Sequence, residues 1–205
     1  MEERTLELDA DVSIKILLIL ALVSLVVINV GNIKDLKEAE HEKKVFGLLL
    51  KSELDYSEII DEGSYYYDQA SYYYELGNYD KVEEYASLAQ GKYHLTILEF
   101  REIKAELVKN KELDPLIDKF VQVADEWIKI YENMYEASEY FEVVGRNYNI
   151  YYEKGVYDDV SYETATSNLE AMNEKIKAHD DAVRRLNDLV SSNAIELKER
   201  IENSG

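Results

Sequence analysis

The sequence predicts an all-α protein: an N-terminal single transmembrane helix followed by an elongated antiparallel up-down-up-down four-helix bundle. Three observations predict it. One proline and eight glycines in 205 residues leave few helix breakers. Residues 16–30 read ILLILALVSLVVINV, without a single charge. Beyond Gly31, apolar residues recur at alternating spacings of three and four, as in the seam between packed helices. The expected domains are an acidic tail at 1–11, the transmembrane helix at 12–30 and the helical bundle at 31–205.

The span comes first. Val12–Ile14 extend the apolar run across one charge, Lys15. A length of ~19 residues at ~1.5 Å each gives ~28 Å, about the hydrocarbon thickness of a bilayer. Lys15 is near one end and can snorkel to the interface. A cleaved signal peptide would want a basic leader and a small-x-small site. The leader here is MEERTLELDAD, and INVGNIK offers no such site. The run is therefore expected to be an uncleaved anchor in the lipid bilayer. A type IV pilin stem is a minor alternative. Lys34, Lys37, Lys43, Lys44 and Lys51 follow the span, and only Arg4 and Lys15 precede or border it. The positive-inside rule then puts the bundle in the cytoplasm; the opposite sidedness would make it extracytoplasmic.

Four helices are expected at about 32–76, 79–109, 115–154 and 158–202. In the first, Phe46, Leu49, Tyr56, Ile60, Tyr67, Ala70 and Tyr74 fit a seam, and Gly63 is a candidate kink. Gly77 suits a left-handed helix end. In the second, Val82, Tyr85, Ala89, Tyr93, Thr96, Phe100, Ile103 and Leu107 keep the rhythm. Asp114 and Pro115 then fit a cap and first helical position. The third runs from Ile117 through Trp127, Tyr131, Phe141, Gly145 and Tyr148 to Tyr152, and Gly155 suits its end. The fourth carries Tyr162, Ala165, Leu169, Met172, Ile176, His179, Val183, Leu186, Val190, Asn193 and Leu197. Short connections make consecutive helices antiparallel.

The chain writes one turn twice. YYELGNYDKV at 73–82 and YYEKGVYDDV at 151–160 share seven of ten positions. Glycine stops the helix, the tyrosine two residues on packs over the turn, and the following aspartate favours the next N-terminus. Tyr66, Ala70, Tyr73, Gly77, Tyr79 and Ala89 give residues 63–92 a hairpin that resembles a tetratricopeptide repeat, echoed at the 151–160 turn. Gln69, Val82, Ala86 and His94 depart from that pattern, and the helices exceed its roughly 34-residue unit. The resemblance implies a shared hairpin solution and not a peptide-binding array.

Tyrosine is abundant, with eighteen against four Phe and one Trp. All lie between Tyr56 and Tyr162, around the two repeated turns, which an up-down bundle places at one end. YYY at 65–67 and at 72–74 covers three helical directions, so these rings cannot all face one core. Tyr65, Tyr66, Tyr72, Tyr73, Tyr79, Asp80, Tyr157 and Asp158 are the partner-binding candidates.

A net charge of −20 and a pI near 4.5 speak against nucleic acid. A protein partner with basic residues suits that charge better. Cysteine is absent. No phosphate loop, nucleophile elbow or metalloprotease motif occurs. Glu38 and His41 form a lone Glu-x-x-His in a charged stretch, short of a di-metal set. No catalytic, cofactor or metal site is expected, nor an enzyme. The leading reading is a membrane-anchored, non-catalytic scaffold or adaptor that presents a tyrosine-rich acidic tip to a protein partner. The alternatives are an extracytoplasmic sensor-like four-helix bundle and a subunit of a filament or surface assembly, in which the chain would associate with itself as a homo-oligomer.

Overall fold

A computed structural model describes residues 58–109, 115–153, 157 and 159–203. These residues form four helices and no strand. Helix α1 occupies 58–75, α2 Tyr79–Lys109, α3 Pro115–Tyr148 and α4 Asp159–Asn203; a π-helical turn, Asn149–Glu153, continues α3. The expected boundaries agree to within a residue or two wherever they fall on described residues. The membrane span, the lysines after it, Phe46, Leu49, Tyr56, Asp114, Gly155 and Asp158 lie outside the described residues. Among the described residues, no helix is long and apolar enough to cross a membrane.

The turn between α1 and α2 follows from its residue types. Gly77 has φ +70°, the left-handed conformation that glycine adopts without a steric cost. Its amide donates to the Tyr74 carbonyl at 3.0 Å, and the Asn78 amide donates to the Tyr73 carbonyl at 3.0 Å. This is a Schellman termination, which satisfies carbonyls that the helix end would orphan. Asn78 then caps α2: its Oδ1 accepts from the Lys81 amide at 3.3 Å, and its carbonyl accepts from the Val82 amide. The sequence reading gave the start of α2 to Asp80 and overlooked Asn78.

Interhelical pairs record the antiparallel order. Glu62 pairs with Lys92 and Tyr73 stacks on Tyr85 between α1 and α2. Glu83 meets Arg146 at 2.8 Å and Arg101 meets Glu132 at 2.7 Å between α2 and α3. Glu126 meets Arg185 at 3.0 Å between α3 and α4. Most of these charges are partly exposed, so each pair contributes only ~0–1 kcal/mol and serves mainly as a register mark.

Burial does the stabilising. Helix α3 is buried at Trp127, Ile128, Ile130, Tyr131, Met134, Ala137, Ser138, Phe141 and Val144. A single heptad seam would not bury 127, 128, 130 and 131 together. The reason is position: α3 packs along both α2 and α4, and its Phe141 and Tyr148 also touch Tyr74 of α1. Fully buried side chains such as Ile130 and Leu186 each contribute ~1.5–3 kcal/mol. A smaller cluster of Leu107, Ile117 and Ala124 closes the opposite end.

Two glycines set the helix approach. A Cβ on Gly145 would stand 2.6 Å from the Glu83 amide nitrogen and 3.0 Å from the Tyr79 carbonyl oxygen, so α3 lies directly against the α2 backbone. Gly63 does not break α1, which runs helical on both sides of it. It instead seats the Tyr93 ring, whose edge would be 3.0 Å from an added Cβ.

Among the described residues, the core also holds polar atoms that form no well-aligned hydrogen bond. They are Ser64 Oγ, the hydroxyls of Tyr67, Tyr93 and Tyr131, Asn149 Oδ1 and His179 Nε2. Leaving such a group unsatisfied costs ~1–3 kcal/mol.

Candidate functional site

Both repeated turns lie at one end of the bundle, as ring contacts across helices show. Tyr79, which opens α2, stacks on Tyr152 of the π-helical turn at 5.6 Å. Tyr148 contacts Tyr74, Tyr79 and Tyr162, one ring from each of the other three helices. The tyrosines there separate into two groups. On one flank of α1 and α2, Tyr66 and Tyr73 both stack on Tyr85. Tyr65 and Tyr72 add edge contacts to that group. Lys81 extends its ammonium over the Tyr85 ring, 5.7 Å from the centroid, and holds Glu84 at 2.5 Å.

The second group surrounds the α3–α4 connection. Tyr151 makes edge contacts with Tyr152 and Tyr157 and a tilted contact with Tyr162. Tyr157 is 75 % exposed, Val160 67 % and Tyr152 47 %. Leu76, from the first turn, is also exposed. Asp159 and Glu163 are exposed within the same stretch of α4. Apolar rings in water beside exposed carboxylates form a surface that can take a cation against a ring face or an apolar side chain between rings.

Of the sequence candidates, Tyr65, Tyr72 and Tyr157 are exposed, whereas Tyr66, Tyr73 and Tyr79 are half-buried. Asp80 is exposed, and one of its carboxylate oxygens accepts from the Asn149 amide. That contact ties the start of α2 to the π-helical turn. Asp158 lies outside the described residues. Tyr79 and Tyr157 join the second group, while Tyr65, Tyr66, Tyr72 and Tyr73 form the first. Tyr152 and Tyr162 were assigned to seams yet are exposed, because the seams run out at this end. Their place beside Gly155 and Tyr157 was the available signal.

The two copies of the turn differ in surroundings. Val82 is fully buried and Val160 largely exposed; Tyr79 is half-buried and Tyr157 stands out. The C-terminal end of α3 covers the first turn through Gly145 and Tyr148.

Burial dominates the titration of the interior phenols. It pushes Tyr74 up to about 12, helped by Tyr148 and Tyr79 nearby, and also pushes Tyr67, Tyr93 and Tyr131 well above the ordinary tyrosine value. Burial lowers His179 below the ordinary histidine value, although Asp180 at 3.2 Å opposes it. Among the described residues, no three His, Asp or Glu side chains converge as a metal site would require. A shallow depression beside Tyr65 is lined by Glu58, Asp61 and Glu62.

No family model, curated protein or solved structure matches the chain, and the tetratricopeptide likeness accordingly rests on its hairpin alone.

Proposed function

We propose that the chain is a membrane-anchored, non-catalytic scaffold whose bundle presents a tyrosine-rich, acidic end to a protein partner. One observation carries this reading: Tyr152, Tyr157 and Tyr162 are solvent-exposed around Tyr151 at the α3–α4 connection. Tyrosine is enriched at interface cores, because it offers a large apolar face and a polar edge. The flanking Asp159 and Glu163, and a net charge of −20, favour a partner with basic residues around an apolar patch. The apolar stretch 12–30 supplies the anchor, and the lysines after it favour a cytoplasmic bundle.

The test compares the full-length tagged protein with a Tyr152→Ser, Tyr157→Ser, Tyr162→Ser variant, each captured from gently solubilised membranes. The melting temperature should fall only modestly, since the three rings are 43–75 % exposed, although Tyr152 and Tyr162 also touch Tyr148. A specific protein should be lost from the variant's capture, with up to ~2 kcal/mol of its affinity gone if an anchor ring is hit. Identical capture by both proteins would overturn the scaffold reading.

A further inference from the structure

We infer that the interior between α1, α2 and α3 is an internal hydration site, where ordered water links the hydroxyls of Tyr67, Tyr93 and Tyr131 and the Ser64 oxygen. These four oxygens come from three helices and are shielded from bulk solvent; among the described residues the Tyr67 and Tyr131 hydroxyls have no hydrogen-bond partner, and the Tyr93 hydroxyl and Ser64 oxygen lie near each other without forming a well-aligned bond. The three rings are nearly inaccessible, at 3 %, 1 % and 1 % exposure. Tyr93 is the hub. Its ring rests on Gly63, the neighbour of Ser64, and stacks on Tyr131 with centroids 6.1 Å apart. It is also within electrostatic reach of the Tyr67 and Tyr131 phenols.

The ligand class follows from the donor set. A phenol and a serine hydroxyl each donate once and accept twice. Water has the same dual capacity and the smallest volume. It typically makes about three hydrogen bonds to otherwise unsatisfied groups, and about one buried water accompanies every ~27 residues. A cation is disfavoured, because the carboxylates that act on these phenols, Asp61 and Asp68, are exposed and not buried among them. Gly63 lets the Tyr93 ring lie close to α1, since an added Cβ would stand 3.0 Å from the ring edge.

The test uses the full-length chain and its Tyr67→Phe, Tyr93→Phe and Tyr131→Phe variants, each lacking one oxygen and no carbon. Two measurements are made. Magnetisation transfer from water should show a long-lived water at the Tyr93 ring protons of the wild type, and lose it in Tyr93→Phe. Each single variant should melt below the wild type, Tyr93→Phe lowest, and the triple variant should lose less than the three single losses together. The inference is overturned if any phenylalanine variant melts at or above the wild type, because the oxygens would then be dry and unpaired. It is equally overturned if no long-lived water is seen in the wild type, which would mean that the hydroxyls rearrange to bond one another directly.

Discussion

His179 shows how one residue can be in the right place and the wrong medium. Its heptad position marked it as a seam residue, and it is buried, at 4 % exposure. Its Nδ1 faces the Asp180 carboxylate at 3.2 Å, and Nε2 has no partner among the described residues. Burial holds its titration below the ordinary value. The unfolded chain therefore takes up a proton more readily than the folded one. The contribution of neutral His179 to stability is present above the unfolded value near ~6.5 and lost as pH falls through the folded value. His179→Leu should consequently raise the melting temperature more at about pH 5 than at about pH 8. Equal shifts at both would show that the imidazole is not penalised by protonation. Gly77 is the opposite case, legible from its type alone. Only a residue without a side chain takes φ +70° freely, whatever surrounds it.

At the scale of elements, the ends of helices were readable because local chemistry makes them. Gly77 and Pro115 punctuate the chain wherever the fold places it. Contact between helices was less readable. Gly145 kept the seam spacing, but nothing in the sequence distinguishes a glycine facing a side chain from one facing a backbone. The structure does: α3 touches α2 at Glu83 and Tyr79 main-chain atoms. Alanine is favoured over glycine inside a helix by ~1 kcal/mol. Here its methyl would stand 2.6 Å from a backbone nitrogen that belongs to a neighbouring helix, so the clash outweighs the propensity. Gly145→Ala should lower stability by ~1–3 kcal/mol in chemical denaturation. Gly91→Ala, where no atom lies within 4 Å, should raise it slightly and serves as the control. A neutral Gly145→Ala would mean that the helices are free to separate there.

For the whole molecule, the sequence supplied a helical bundle with both tyrosine-rich turns at one end, and the described residues have that arrangement. It could not tell which rings the bundle would cover. Tyr67, Tyr93 and Tyr131 are interior, whereas Tyr65, Tyr72 and Tyr157 are on the surface. The same letter serves both because exposure depends on which helix arrives from elsewhere. The interior phenols make the molecule sensitive to alkali. Each holds its proton more tightly folded than unfolded. Their contribution is therefore complete below the unfolded tyrosine value near ~10 and is lost as pH rises from there toward the folded values. Melting temperature should decline above about pH 10, and helical circular dichroism should be lost as phenolate absorbance appears. Tyr93→Phe should suffer a smaller alkaline loss than the wild type. A wild-type melting temperature that holds steady well above that range would exclude a contribution from these phenols.

The unequal cover of the two turns bears on how freely each can change. At Val82 a substitution must satisfy a closed interior, with the end of α3 lying against the same turn of α2. At Val160, the matching letter of the second copy, the side chain is 67 % exposed and meets mostly solvent. A library randomised at both positions and sorted for folded protein should keep only small apolar residues at 82, and accept polar and charged ones at 160. If the copies arose by duplication, their present likeness at this position has different sources: packing preserves the first valine, whereas folding alone does little to preserve the second.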